Sequence, residues 1–138
     1  MITKTEFYKI MAEQTEIALA TCVQNVPSVR IVNFYFDPEN NKLYFSTFKG
    51  NDKIAEMIEN RSVAFSTIPH TGNAHVRAKG IASKSALTIF DLAEYFSEKI
   101  SGYANTIQQF GTSLELYEIR FESAIVTLDL AHIETIRL

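Results

Sequence analysis

The sequence has 138 residues, of which 46% are hydrophobic and 21% are charged, a balance typical of folded domains rather than disordered chains. Its formal net charge of -3 argues against a nucleic acid as the main partner, because proteins that bind the phosphate backbone carry basic surfaces. No apolar run approaches the roughly 20 residues that span a bilayer. The N-terminus lacks the apolar centre of a signal peptide, so we expect a cytoplasmic protein that does not associate with membranes.

The hydrophobic pattern predicts one domain over residues 1–138, in which short strands alternate with helices. The β-branched and aromatic run over 29–37 is followed by the turn DPENN and by a second strand over 42–47, which predicts a hairpin with a long loop. The sequence NVPS over 25–28 breaks the chain before this hairpin. The other predicted elements are helices over 3–14, 51–60 and 86–100, a shorter helix before Gly111, and strands over 17–24, 62–68, 74–85 and, two or three in number, 116–138.

This order of elements predicts a mainly antiparallel β fold with inserted helices, of the α+β class. About seven short strands would close most readily into a small barrel. In the run over 29–37, Val32 and Phe34 point to one side while Val29 and Ile31 point to the other, so both faces of the strand are apolar. A single-layer antiparallel sheet normally has one solvated face. One face is therefore expected to line the barrel, and the other to be covered by a helix, a ligand or a second copy of the chain. We expect a homodimer, because symmetric dimers are the commonest oligomers.

The segment FSTFKGNDK, residues 45–53, concentrates polar groups where a strand meets a helix. Its hydroxyls are Ser46 and Thr47, and its cations are Lys49 and Lys53. The start of a helix offers unpaired backbone N–H groups and the positive end of the helix dipole, both of which favour anions. The corner is thus a candidate anion site. The alternative is that both lysines are solvated charges and that Asn51 is simply the helix N-cap.

Arg30 lies at the start of the run over 29–37, and the predicted hairpin brings this end of the strand close to residues 46–49. A guanidinium offers a planar fork that suits phosphate oxygens. If the numbers of two residues that face each other across the hairpin add up to an odd number, Arg30, Thr47 and Lys49 share one face of the sheet. The length of the turn leaves this register open.

Other reactive side chains carry weaker signals. The spacing of His70, His75 and His132 matches no common metal site, so no metal is predicted. The single cysteine, Cys22, excludes an internal disulfide and is expected to be a small buried thiol rather than a nucleophile. Two further sets are open to two interpretations each. Arg77 and Lys79 form either a solvated strand face or the rim of a substrate entrance, and the aromatic residues Phe90, Tyr95, Phe96 and Tyr103 serve either in core or dimer packing or as a lid.

The chain resembles the pyridoxamine 5'-phosphate oxidase-like FMN-binding split-barrel family over about residues 7–85. The order and spacing of the segments ALATCVQNVPSVRIVNFYFD, KLYFSTFKGNDK and HVRAKGIA carry the resemblance. It implies an antiparallel split β-barrel that binds FMN at the interface of a homodimer. It also implies roles in holding the cofactor for Arg30, for the pair Ser46–Thr47 with Lys53, for Val32 and Asn33 beside the flavin ring, and for His75.

The chain departs from the family in two respects. Asp52 stands where a basic or hydroxyl residue is common, and no tryptophan is present, whereas the oxidase itself carries a tryptophan-containing C-terminal segment. The resemblance therefore implies a short family member that acts on an unidentified small molecule as an FMN-dependent oxidoreductase. A non-catalytic flavin-binding or sensing protein and a purely structural dimer are the alternatives. Some relatives bind deazaflavin or haem in place of FMN.

Overall fold

Four α-helices and nine β-strands make up the fold, and the computed structural model describes residues 1–138. The helices are α1 (Lys4–Glu13), α2 (Asp52–Glu59), α3 (Ala93–Lys99) and α4 (Tyr103–Phe110). The strands are β1 (Glu16–Val23), β2 (Val26–Asn33), β3 (Tyr35–Asp37), β4 (Lys42–Phe48), β5 (Ser62–Thr67), β6 (His75–Lys84), β7 (Leu114–Arg120), β8 (Ser123–Asp129) and β9 (His132–Arg137). None of the helices has the length and apolarity that crossing a membrane would require.

The strands form one antiparallel sheet in the order β2-β1-β5-β6-β7-β4-β3. Strand β6 divides the sheet because it changes partners along its length: its start pairs with β8, its middle with β5 and its end with β7. The path of hydrogen-bonded strands ends at β2 and β3, so the sheet is curved but not closed. The predicted antiparallel split-barrel class with inserted helices is confirmed, but the expected closure of about seven strands is not found, because the nine strands form an open sheet.

Gly80 lies where β6 changes from one partner to the next. A Cβ atom at this position would lie 2.6 Å from the carbonyl oxygen of Arg120 and 2.8 Å from the Cγ2 atom of Ile119. Real Cβ atoms do not approach other heavy atoms this closely, and one of the two obstacles is main chain. A glycine is therefore required for β7 to pack this closely against the middle of β6.

Helix α1 begins and packs as its sequence predicts. Thr3 and Glu6 form a reciprocal capping box at its first turn, which satisfies backbone N–H groups that have no partner within the helix. Phe7, Ile10 and Met11 are buried along one side. They join a core cluster of 21 buried residues beneath the sheet, while a second cluster of 8 lies between α3, α4 and the neighbouring face of β4 and β7.

The strand predicted over 29–37 is two strands that separate at Phe34, which corrects the long hairpin of the prediction. Strand β2 pairs with β1, with Val32 opposite Ile17, and only β3 pairs with β4. The Phe34 side chain is fully buried, and its backbone N–H donates to the carbonyl of Thr15 at 3.1 Å. This bond holds residue 34 beside the start of β1, so the residues before it pair with β1 and not with β4. The short hairpin places Tyr35 opposite Tyr44, so its register sum is odd.

The predicted break at NVPS lies one to two residues earlier than expected. Gln24 and Asn25 form the turn, with positive φ angles of 50° and 65°, as two-residue hairpins of type I′ require. Val26 already pairs with Val23, and Pro27 stands within β2 opposite Cys22. Proline is tolerated there because β2 is an edge strand.

The helix predicted over 86–100 is also shorter than expected, since α3 spans only Ala93–Lys99. The backbone N–H of Leu87 donates to the Ser85 hydroxyl, and both the N–H and the hydroxyl of Thr88 donate to the Asp91 carboxylate. Such local bonds from side chains offer the backbone an alternative to helical pairing.

The two apolar faces of β2 have different surroundings. Val32 packs against the main core, whereas Val29 and Ile31 are 69% and 60% exposed. The cross-strand register places these two opposite Ala20 and Ala18, and Ala64 lies beside Ala20 on β5. We call this surface, which carries Ala18, Ala20, Val29, Ile31 and Ala64, the outer face.

Candidate functional site

A cavity of about 340 Å³ lies where the ends of β2 and β4 meet the starts of α2 and α4. We call it the Lys53 pocket. It is lined by residues from all four elements and from the segments beside them: Glu16, Ile31, Val32, Asn33, Ser46, Thr47, Phe48, Asn51, Lys53, Ile100, Ser101, Gly102, Tyr103, Thr106 and Leu114.

The pocket brings together most of the site residues predicted from the sequence. The predicted residues that line it are Val32, Asn33, Ser46, Thr47, Asn51 and Lys53. Arg30, Lys49 and His75 do not line it. The segment 45–53 therefore forms one wall of the pocket, as the sequence suggests. The end of β2 forms the neighbouring wall, although β2 pairs with β1 and not with β4.

Lys53 is the most unusual group in the pocket. Its residue is only 9% exposed, and its Nζ donates to Thr47 Oγ1 at 2.6 Å. No carboxylate lies within ion-pair distance of this amine. Burial lowers the pKa of Lys53, the charge of Arg30 lowers it further, and the charge of Glu56 opposes both. An ammonium group has three donors, so Lys53 retains bonding capacity for an anion.

The start of α2 is capped from within the chain. Asn51 Oδ1 accepts a hydrogen bond from the backbone N–H of Lys53 at 3.1 Å, which confirms the interpretation of Asn51 as the N-cap. Gly50, with a φ of +78°, turns the chain from β4 into this cap. The side chain of Lys53 therefore lies beside a helix end that Asn51 already caps.

Arg30 does not line the pocket, and its guanidinium is bound by other groups of the chain. Its Nη1 donates to the carbonyl of Leu19 at 3.2 Å and to Thr21 Oγ1 at 2.9 Å, and its Nη2 pairs with Glu56 Oε1 at 2.8 Å. The same carboxylate oxygen accepts from Thr21 Oγ1 at 2.5 Å. The expectation that a hairpin brings Arg30 to residues 46–49 is wrong, because β2 pairs with β1 and meets α2 instead.

Two further predicted residues lie outside the pocket. Lys49 is exposed, and its Nζ donates to the carbonyl of Thr112 at 2.9 Å. His75 begins β6 as expected, but its Nδ1 donates to the carbonyl of Asn73 at 2.7 Å. Although the register of the short hairpin is odd, it does not place Thr47 and Lys49 on one face with Arg30, because Arg30 belongs to the β1–β2 pair.

The α4 wall of the pocket contains Tyr103, which the sequence left open between core packing, dimer packing and a lid. Tyr103 is buried, and its hydroxyl lies 2.5 Å from Ser46 Oγ. Burial raises the pKa of Tyr103, while the bond to Ser46 opposes that shift. Gly102, with a φ of +80°, begins α4 without a side-chain cap. The Gly-Tyr pair that opens a helical segment was the available sequence signal, but nothing local indicated that Tyr103 meets Ser46.

Three of the weaker candidates are placed on the surface or near it. His70 pairs with Glu16 at 3.1 Å, and His132 pairs with Asp129 at 2.8 Å. Cys22 was expected to be buried and is half-buried instead, since it alternates with Thr21 and points to the opposite face of β1.

The remaining candidates divide between core and surface. Phe96 and Tyr103 belong to the smaller core cluster, whereas Phe90 and Tyr95 are 53% and 51% exposed. Arg77 and Lys79 are exposed on β6, as the solvated-face interpretation expects.

The fold and the pocket define a split-barrel protein with a candidate anion site at a strand-to-helix corner. The family model described as pyridoxamine 5'-phosphate oxidase-like matches residues 10–132. The chain therefore belongs to the pyridoxamine 5'-phosphate oxidase-like family, which confirms the resemblance drawn from the sequence. Among curated proteins, none matches this chain.

Solved structures of similar fold have low sequence identity to the chain. A putative pyridoxamine 5'-phosphate oxidase from Listeria innocua is 17% identical, covers 91% of this chain and 98% of its own, and superposes with a TM-score of 0.72. HutZ, a haem storage protein from Vibrio cholerae, is 14% identical, covers 91% of this chain and 95% of its own, and has a TM-score of 0.69. An FAD-binding protein from Mesorhizobium loti is 17% identical, covers 89% of this chain and 90% of its own, and has a TM-score of 0.66.

Proposed function

We propose that this protein binds FMN in the Lys53 pocket and uses it as an oxidoreductase acting on a small molecule. The observation that carries the proposal is the buried Lys53 amine, which has one hydroxyl partner and no carboxylate. Burying an ammonium without a counter-charge is costly, so an anionic ligand group would relieve the cost. The family and the FAD-binding structural relative support a flavin as the molecule that carries this group.

The donors around Lys53 fit the phosphate end of a flavin nucleotide. Ser46, Thr47 and Tyr103 supply hydroxyls, and Lys53 supplies the charge. We assign Val32 and Asn33, on the neighbouring wall, to the flavin ring. When bound, the flavin would supply hydride-transfer chemistry, while these residues would anchor its tail and orient it.

The second part of the proposal is a homodimer formed through the outer face. Val29 and Ile31 are exposed beside three alanines whose small side chains allow close approach of another surface. A second copy would cover this apolar patch, and the Lys53 pocket lies at its edge because Ile31 also lines the pocket. We expect sedimentation to give twice the chain mass. Ala20→Glu should yield monomer, whereas the exposed helix variant Ala12→Glu should not, and a monomeric wild type would contradict the interface.

The cofactor is tested by identifying what copurifies with the wild-type protein. We expect a yellow protein with flavin absorption bands, whose extract has the mass of FMN. Extraction of FAD, a deazaflavin or haem would overturn the FMN assignment, and haem would also be recognised by its Soret band. Steady-state bleaching by NADH or NADPH would support turnover. A flavin that is bound but never reduced would instead indicate a sensing or storage protein.

A further inference from the structure

Four charged groups meet at the corner beside the Lys53 pocket. Arg30 and Lys53 are the cations, and Asp52 and Glu56 are the anions. Asp52 is exposed in the first turn of α2, whereas Glu56 lies one turn further on. Residues three apart on a helix face the same side, so Glu56 is placed to pair with Lys53. It does not pair with Lys53 and turns to Arg30 instead.

The contacts of Glu56 explain this choice. Its Oε1 accepts from Thr21 Oγ1 at 2.5 Å and from Arg30 Nη2 at 2.8 Å. Thr21 in turn accepts from Arg30 Nη1, so the three side chains form a closed triangle between β1, β2 and α2. The bond from Thr21, followed by the bond from Arg30, lowers the pKa of Glu56, which keeps the carboxylate ionised near neutral pH.

Arg30 is nevertheless close to the pocket. Its charge acts on Lys53, and the two residues that follow it, Ile31 and Val32, line the cavity. The carboxylate of Glu56 therefore occupies a guanidinium that could otherwise contribute to the binding of an anion. With Arg30 neutralised by Glu56, Lys53 is the one cation that lines the pocket, and it has no carboxylate partner.

We propose that Glu56 is an internal competitor of the ligand phosphate, which withholds Arg30 from the pocket and keeps a bound flavin phosphomonoester exchangeable. The inference rests on the proposed function and concerns the strength and charge selectivity of the same site. Glu56 is a positioning residue that acts through Arg30. A purely structural ion pair between β2 and α2 would leave charge selectivity unchanged.

The test compares FMN with riboflavin, which lacks the phosphate. Glu56→Gln keeps the size of the side chain and its ability to accept from Thr21, but it removes the charge that holds Arg30. FMN should bind this variant about tenfold more tightly than wild type, because Arg30 becomes free to make a charge-assisted bond. Riboflavin affinity should not change. Glu59→Gln, an exposed position on the same helix, is the matched control and should alter neither affinity.

A second variant assigns any gain to the guanidinium. In the Glu56→Gln background, Arg30→Gln should abolish the increase in FMN affinity. If Glu56→Gln and wild type bind FMN equally, or if riboflavin affinity rises as much as FMN affinity, the role of Glu56 is overturned while the flavin proposal stands.

A separate titration with inorganic phosphate distinguishes the two proposals. If no flavin binds any variant but Glu56→Gln binds phosphate more tightly than wild type, the proposed function is overturned and the role of Glu56 is supported. If no flavin binds any variant and phosphate binds Glu56→Gln no more tightly than wild type, both proposals are overturned. Circular dichroism of each variant verifies that the fold is retained.

Discussion

Two lysine amines are withdrawn from solvent in different regions of the molecule, and their partners differ. Lys99, in the last turn of α3, donates to the carbonyl of Met11 at 2.9 Å and lies 3.5 Å from the centre of the Phe34 ring. Lys53 has one hydroxyl partner. Burial lowers the pKa of both amines, and that of Lys99 falls to about 7.

The difference indicates which lysine has a structural role. Met11 belongs to the last turn of α1, where carbonyls have no helical partner, so Lys99 caps one helix from another. The Phe34 ring stabilises the charged form of the amine. Neither amine has a carboxylate partner, but Lys99 is held by a helix-end carbonyl and an aromatic ring, whereas Lys53 has one hydroxyl partner and lines a cavity. Burial and a lowered pKa alone would not distinguish the two residues, and their contacts do.

The largest expected effect is the loss of FMN affinity in Lys53→Met. Removal of one charge-assisted bond should weaken binding by about 10- to 100-fold. The free energy of unfolding in the absence of flavin should not fall, because the variant also removes a buried amine that has no counter-charge. Isothermal titration and urea unfolding measure the two quantities. Lys49→Met is the control and should leave FMN affinity unchanged, since Lys49 is exposed. A large loss of stability in Lys53→Met would contradict the distinction from Lys99, because it would show that Lys53 also has a structural role.

The next effect is a pH dependence of stability that originates at Lys99. Its pKa is about 7 in the folded protein and about 10.4 when unfolded, so between these values the unfolded chain binds more protons. The free energy of unfolding should therefore rise with pH, by up to about 1.4 kcal/mol per unit. Urea unfolding from pH 7 to 9 should show a smaller slope for Lys99→Met than for wild type. Identical slopes would mean that the Phe34 ring offsets burial.

The smallest effect concerns the neutral donors beside Lys53. Tyr103→Phe removes the hydroxyl that bonds to Ser46 and should lower the free energy of unfolding by about 1 kcal/mol. Thermal unfolding measures the loss, and Tyr95→Phe, on the exposed side of α3, is the control. FMN affinity should fall by less in Tyr103→Phe than in Lys53→Met. An equal fall would place the phosphate at Tyr103 rather than at Lys53.

The parts of the fold predicted correctly are those that local pattern determines. Phe7, Ile10 and Met11 mark α1 by their spacing, and the turn after Asp37 marks the short hairpin. The separation of β2 from β3 was missed because it depends on Phe34 bonding to Thr15, a distant contact that alternation cannot reveal. The early part of the predicted helix over 86–100 was lost to side-chain bonds such as those of Asp91.

The site divides in the same way. Segment 45–53 supplied Ser46, Thr47 and Lys53 because its polar residues are adjacent in sequence. Tyr103 is separated from Ser46 by 57 positions, and only the docking of α4 on β4 brings them together. Glu56 was missed for another reason. It lies within the predicted helix, where a glutamate is ordinary, and its importance depends on Arg30 arriving from a strand pair that the predicted hairpin did not contain.

The absent side chain at Gly80 limits how this sequence can change. Its obstacle is the main-chain oxygen of Arg120, which no change of rotamer can move aside. A methyl group at position 80 would force β6 and β7 apart. The change of partners along β6, which divides the sheet, depends on their close packing. Any descendant of this chain that keeps β6 and β7 this close must therefore keep a glycine at position 80, which does not line the Lys53 pocket.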